Sequence, residues 1–524
     1  MTSQLKINHF GHSVWRFPGL FLMTMVFMLT SVILRFPYLY EWDSVNYVKA
    51  IDEFNLFLNQ PHPPGYIGFV FILKMMAGIF QNSYYGFLAI VLISYFIFAL
   101  FSTLLAKDLL QKEFSPGLYA FFLTVPIVFF HSQVTTIYLT EGAVVIGIVY
   151  CLNKVFQQKW NPYVVLVILL GGLIKTNIPL VLLPLAIFVL FFRIETGWKK
   201  WTFIALFMVV DVLWYFALKE WVFYLSRAPD ALDALITDYI IRDNILSGYF
   251  NGIKNLLLTV IKNSKNVILA LVIQIIPLTL ILMVRSGKIS FLKILKKSHN
   301  WFLIMWILPH LGFVLLLYFP KNGYLLEIFT GLVILVIGFF QWQRIRTRFK
   351  WIVMVNLLLF FIPLQLDYFK AKIKIGGQDK STGEYALSQV IRIFETTHSH
   401  SVSIRKIYEY YFSEINKIKK EGRTLFILSN IIADYRVIPH YLEKYEFLIV
   451  QKERNHFMVS TFIHGKITVK LIKRTEPNID LTGYDRIFLI TSTPERYVGK
   501  LLEVKETIFR IIAETIDING LKIY

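Results

Sequence analysis

Cysteine is all but missing. One residue, Cys151, stands among 524, and it lies inside an apolar block. A single thiol excludes intrachain disulfides and thiolate metal centres. Charge is also scarce: 17% of residues are Asp, Glu, Lys or Arg, against about 25% in ordinary soluble proteins. That excludes a soluble globular enzyme, a disordered chain and a coiled coil. Acidic residues are the scarcer sign, 34 against 54 basic ones. The surplus does not mark a nucleic-acid binder, because the basic residues sit in short clusters between apolar blocks, as membrane topology requires. No internal repeat of the inverted-repeat transporter kind is present.

Apolar residues dominate instead, at 56%, and they come in blocks near the length of about 20 residues that spans a bilayer as a helix. The blocks lie near 19–36, 64–80, 84–106, 115–131, 139–153, 161–192, 200–224, 266–284, 300–319, 323–340 and 350–367. The block 161–192 is too long for one span and is broken by Lys175-Thr176-Asn177-Ile178-Pro179, so it divides into two short spans. Lys6 and Arg16 before the first block, with no small-residue cleavage site after it, predict a retained signal anchor. Basic connections after residues 153, 192, 284 and 340 all face the cytoplasm only if one early block fails to cross. Block 64–80 opens with Pro63-Pro64-Gly65 and carries Lys74, so it is expected to lie at the interface. The expectation is a polytopic α-helical membrane protein with about 11 transmembrane helices plus interfacial helices, the N-terminus cytoplasmic. Residues 1–368 form this transmembrane part. Residues 369–524 lack a spanning run and alternate short β-rich stretches with helical patterns at 385–395 and 498–514, predicting a C-terminal α/β extracytoplasmic domain.

The polar residues hardest to explain collect on the outward side of this topology. Asp43 follows the first span and suits a general base; capping the helix that starts at Ser44 is the alternative. His62, between prolines, can bind a phosphate or a metal, or simply pack. Glu141 opens a span; it either faces Asp43 across an outer cavity or answers the helix dipole. Lys175 and Lys321 face outward against the positive-inside trend. Either they snorkel or they hold an anionic phosphate, with helix N-termini assisting. The charged loop 225–265 is a lid or a solvated face. His398 and His400 form an HxH pair without a further ligand of convincing spacing.

An acid just after the first span, followed by His62-Pro63-Pro64-Gly65-Tyr66 leading an interfacial helix, resembles the GT-C membrane glycosyltransferases. The branch it resembles contains the bacterial relatives of protein O-mannosyltransferases and the aminoarabinose transferases. Glu141 in Thr140-Glu141-Gly142 occupies the place of the family's second acidic motif, more often an Asp. Gly171-Gly172-Leu173-Ile174-Lys175 is similar to its glycine-rich stretch with a basic residue, and Lys321-Asn322-Gly323-Tyr324 to its late basic-aromatic stretch. The likeness covers residues 20–367. It departs where many relatives have Asp-Glu in the first loop; here Asp43 is the clear candidate, with Glu41, Asp52 and Glu53 nearby.

The resemblance implies an inverting glycosyltransferase of the EC 2.4 class, hexosyl or pentosyl, in the cell's inner (plasma) membrane. The donor is a polyprenyl-phosphate-linked sugar and the acceptor a cell-envelope lipid, glycan or protein. Asp43 and Glu141 are the expected catalytic residues; His62, Tyr66, Lys175, Lys321 and Tyr324 are the expected substrate-binding residues. No catalytic metal or other cofactor is required in this branch, and no nucleic-acid partner is expected. The competing classes are a multi-span transporter or flippase, which needs a polar pathway through the membrane, and a non-catalytic assembly protein, which tolerates loss of Asp43.

Overall fold

The computed structural model of the protein describes residues 18–61, 65–111, 113–194, 197–226, 253–283, 298–316, 321–339, 349–363, 393–418, 422–429, 436–452, 456–464, 466–473, 478–479, 481, 483–492, 499–504, 517–518 and 521–523. Each of the twelve apolar segments is helical over most of its described residues. In chain order the helices are α1 (Pro18–Ile33), a short polar helix α2 (Trp42–Lys49), α3 (Ile67–Phe80), α4 (Ser83–Leu110), α5 (Pro116–Thr124), α6 (Pro126–His131), α7 (Tyr138–Phe156), α8 (Ile168–Ile174), α9 (Ile178–Arg193), α10 (Trp198–Leu225), α11 (Ile253–Met283), α12 (Ser298–Leu316), α13 (Leu326–Phe339) and α14 (Phe349–Phe360). Among the described residues four helices are long and apolar enough to cross a bilayer, at 83–110, 138–156, 200–222 and 257–275. Helix length thus singles out four spans, and a count of eleven rests on the shorter apolar helices as well.

The outward surface of these helices is apolar. Phe71, Met75 and Ile79 are exposed at every fourth position of α3, and Leu206, Val209, Leu213 and Phe216 are exposed on α10. Contiguous apolar surface of this extent is incompatible with water and is solvated by lipid. The chain is a multi-pass membrane protein.

Two local outcomes differ from the sequence expectations. Block 115–131 is two helices, because Pro126 lacks an N–H and forces Val125 out of the α region, to ψ 130°. The segment 225–265 is not all loop: from Ile253 onward it belongs to α11. Its charged residues Arg227, Asp230, Asp233, Asp238, Arg242 and Asp243 lie outside the described residues. The expected break in 161–192 is present, with α8 ending at Ile174 and α9 starting at Ile178.

Beyond the helices, β1 (Thr424–Ser429), β2 (Glu446–Lys452), β3 (His456–Ile463), β4 (Lys466–Lys473), β6 (Arg486–Ser492) and β7 (Gly499–Val504) form one sheet in the order β4-β3-β2-β1-β6-β7, with β5 (Asn478–Ile479) outside it. β1 runs parallel to β2 and β6, and Phe426 pairs with Phe447 on one side and Phe488 on the other. The three stacked rings are the centre of the sheet. The helix expected over 498–514 begins as β7, held antiparallel to β6. Sheet pairing overrides the local pattern here. The expected boundary near 368 falls outside the described residues.

This C-terminal part is tied to the membrane helices. Helix α15 (His398–Asn416) starts with Thr397 accepting from the His400 N–H. Tyr408 of α15 packs edge-on against Phe36 and donates to the Tyr40 carbonyl at 3.1 Å. The Leu39 N–H donates to the Tyr441 hydroxyl at 2.8 Å.

Candidate active site

The N-terminal ends of α2, α7 and α13 meet the α8–α9 break, and two lysines organise them. Lys321, just before α13, donates to Glu41 Oε2 at 2.6 Å and Asp43 Oδ2 at 3.0 Å. Lys175, in the break, donates to Glu141 Oε2 at 2.9 Å and Glu327 Oε1 at 2.8 Å. The second carboxylate oxygen of Glu327 lies 3.2 Å from His310 Nε2. Carboxylates at helix N-termini are favoured by the helix dipole. Buried ammonium groups at this depth are tolerated only when paired, and each lysine has two partners.

Two tyrosines join the clusters. Lys175 sits over the Tyr324 ring, 4.6 Å from its centre, and Lys321 lies 5.8 Å from the centre of the Tyr138 ring. The two rings meet edge to face at 5.1 Å. The Tyr324 ring thus links the clusters, with Lys175 over its face and Tyr138, the neighbour of Lys321, at its edge. Gly323 lies so close to Tyr138 that any side chain there would collide with the ring. The glycine therefore lets the two tyrosines approach.

Asp43 is the second residue of α2, which starts at Trp42 rather than Ser44, so Asp43 is not the cap. Its carboxylate is buried and turned to Lys321. Tyr66 precedes α3 in a left-handed conformation, φ 44°, and is buried against Tyr47 with ring centres 5.2 Å apart. A bulky residue in that region is strained and persists only where surrounding packing enforces it. Gly65, at φ 114°, turns the chain into α3 where a side chain would strike Val222 of α10. His62 lies outside the described residues. Glu141 keeps Oε1 buried and without a partner among the described residues.

The expected residues thus fall into two groups, Asp43 with Lys321 and Glu141 with Lys175. Tyr324 stands between the groups, and Tyr66 is buried against Tyr47 of α2, the helix that carries Asp43. Glu327, His310 and Tyr138 were not anticipated. His398 and His400 lie at the start of α15, apart from this site, and among the described residues no group of three or more His, Cys, Asp and Glu side chains is arranged to hold a metal.

No family profile matches the sequence, and no curated protein matches it. Solved structures do. The aminoarabinose transferase ArnT from Cupriavidus metallidurans, bound to undecaprenyl phosphate, superposes with a TM-score of 0.50 at 12% identity over 84% of this chain and 86% of ArnT. The chain shares the fold of this ArnT.

The apo form of the same ArnT matches with a TM-score of 0.47 at 12% identity, over 83% of this chain and 85% of that one. The Archaeoglobus fulgidus oligosaccharyltransferase matches with 0.39 at 13%, over 80% of this chain and 61% of that one. At 12% identity the likeness to ArnT is one of fold. In this chain a carboxylate and a partly exposed lysine share one end of the helices, beside a buried lysine with two carboxylates of its own. Such a site can accept a proton at Asp43 and balance an anion at Lys321.

Proposed function

We propose that the chain transfers a monosaccharide from a polyprenyl-phosphate donor to a cell-envelope lipid, glycan or protein, with inversion, at the outer face of the cytoplasmic membrane. The N-terminus is then cytoplasmic and the C-terminal sheet extracytoplasmic. The observation that carries this reading is Lys321: its side chain is 27% exposed while it bridges Glu41 and Asp43. It is the cation of the site most open to an incoming anion.

In this mechanism the donor phosphate takes over part of the Lys321 ammonium from Asp43. The freed carboxylate accepts the proton of an acceptor hydroxyl. The hydroxyl oxygen forms a bond to the anomeric carbon as the bond from that carbon to the phosphate oxygen breaks on the opposite face. Polyprenyl phosphate leaves with its charge balanced by Lys321. Lys175, held by Glu141 and Glu327, is the second positive charge near the phosphate, and Glu141 Oε1 orients the acceptor. Tyr66 and Tyr324 line the donor side.

The test uses purified protein in nanodiscs with radiolabelled polyprenyl-phosphate monosaccharides, wild type beside Asp43→Asn. Loss of a general base lowers turnover by about 10²–10⁴. Donor affinity should hold or rise, because Asn removes a carboxylate that competes for Lys321. Equal loss of binding and turnover would contradict the base assignment. If neither protein binds any donor, the transporter or scaffold reading takes its place.

A further inference from the structure

The helix that carries Asp43 is eight residues long. Isolated helices of that length do not hold together in water, so contacts from elsewhere set the direction of Asp43. One comes from the far end of the chain. Arg436 is fully buried just before α16 (Val437–Tyr441). Its Nη1 donates to Asn46 Oδ1 at 2.5 Å and to the Leu58 carbonyl at 3.3 Å. Its guanidinium carbon lies 5.3 Å from the centre of the Trp42 ring. Trp42 and Asn46 are one turn apart on α2, and Asp43 lies next to the first and one turn before the second. The guanidinium therefore spans the face of α2 adjacent to the base. It also fastens α2 to the turn that leads towards Tyr66.

We propose that Arg436 is a positioning residue for Asp43, through which the C-terminal part of the chain sets the geometry of transfer. The proposal rests on the reading of Asp43 as the base. A planar fork suits this role, because it hydrogen-bonds an amide and a carbonyl in fixed directions while its face meets an indole, and a lysine cannot do both. Neighbouring contacts run between the same two parts of the chain. Lys49 Nζ pairs with Glu443 Oε1 at 2.8 Å, but Glu443 is about half exposed, so this pair contributes little.

The experiment compares full-length wild type, Arg436→Ala, Arg436→Lys and Glu443→Ala in nanodiscs. Steady-state transfer and amide hydrogen exchange are both followed. Arg436→Ala should lower kcat on the order of 10–100-fold, the effect of a small misplacement of a reacting group, with donor KM unchanged. Amides of residues 42–50 should exchange faster while those of α4 do not. Arg436→Lys should fall between, and Glu443→Ala should match wild type. Unchanged kcat or unchanged exchange in α2 would overturn the proposal, as would a parallel loss of kcat and donor binding with exchange raised throughout. If Arg436→Ala does not fold, Asn46→Ala removes the contact from the other side and is read in the same way. Should Asp43→Asn retain wild-type turnover, the base reading fails, while exchange in Arg436→Ala still reports whether this arginine orders α2.

Discussion

Lys175 is one of the more deeply buried cations among the described residues, and its position explains why it has two acidic partners. A lone ammonium in that setting would lose its hydration without compensation. Glu141 and Glu327 supply the compensation, and removing the lysine would leave two carboxylates facing each other. Breaking a buried pair from one side costs about 3–5 kcal/mol. Lys175→Met should therefore unfold at lower temperature than wild type in the same detergent. Glu327→Gln placed on top of Lys175→Met should recover part of the loss. A double-mutant cycle followed by thermal melts measures this, and a Lys175→Met protein as stable as wild type would remove the lysine from its structural role. The members of this cluster were unequally legible. Lys175 and Glu141 stand out as charges beside apolar blocks. Glu327 stands alone at the start of one, where the helix dipole already accounts for an acid. Its pairing with a lysine 152 residues away leaves no trace in local pattern. The same holds for Glu41, which sequence reading placed only as a neighbour of Asp43 and which shares Lys321 with it.

At the level of helices and strands, local chemistry predicted the apolar helices and most of the strands and failed where a partner decides. Pro126 sits within an apolar run and breaks it, which its missing N–H could have announced. The break leaves the Ile127 N–H at a new helix start without an intrahelical acceptor. Gln274, inside α11, supplies one: its Oε1 accepts from Ile127 N at 2.8 Å, and its Nε2 donates to Thr396 Oγ1 at 2.8 Å. One amide thus connects α6, α11 and the segment entering α15. Gln274→Leu would fill the same space and leave two polar groups buried without partners, a loss of about 1–3 kcal/mol for each group. The expected outcome is a lower thermal midpoint with the apolar helices still formed by circular dichroism. An unchanged midpoint would show that the Ile127 N–H finds another acceptor. The helix expected over 498–514 failed for the opposite reason. Leu501, Leu502 and Val504 fit either pattern, and pairing with Ile490, Leu489 and Ile487 chose the strand.

Across the whole molecule, composition predicts a membrane part and a soluble part, but it carries no sign of the contacts that tie the C-terminal helices to the segment between α1 and α2. Sequence separation hides them: the rings of Phe36, Tyr38, Tyr408, Phe412 and Tyr441 form one aromatic cluster although they lie on distant segments. Three histidines take part in the docked C-terminal region, and burial lowers His398, at the start of α15 against Phe360 and Phe361, as it does the other two. Burial pushes His400, at the start of α15, down to about 4. Burial, with the Lys49 charge adding to it, pushes His440 down to about 4, against the weaker opposing pull of Glu443. Both are therefore neutral in the docked state, whereas in an unfolded chain a histidine binds its proton near pH 6.5. Between about pH 6.5 and pH 4 the unfolded state holds more protons than the folded one, so stability rises with pH across that window and levels off above it. Acidification from neutral pH to about 5 should accordingly loosen the C-terminal region. Limited proteolysis at the two pH values would release a C-terminal fragment sooner at the lower one. His400→Gln, which removes one of these titrations, should flatten that dependence. Equal fragment release at both pH values, or a His400→Gln profile identical to wild type, would show that these buried imidazoles do not control how the C-terminal part stays on the helix that carries Asp43.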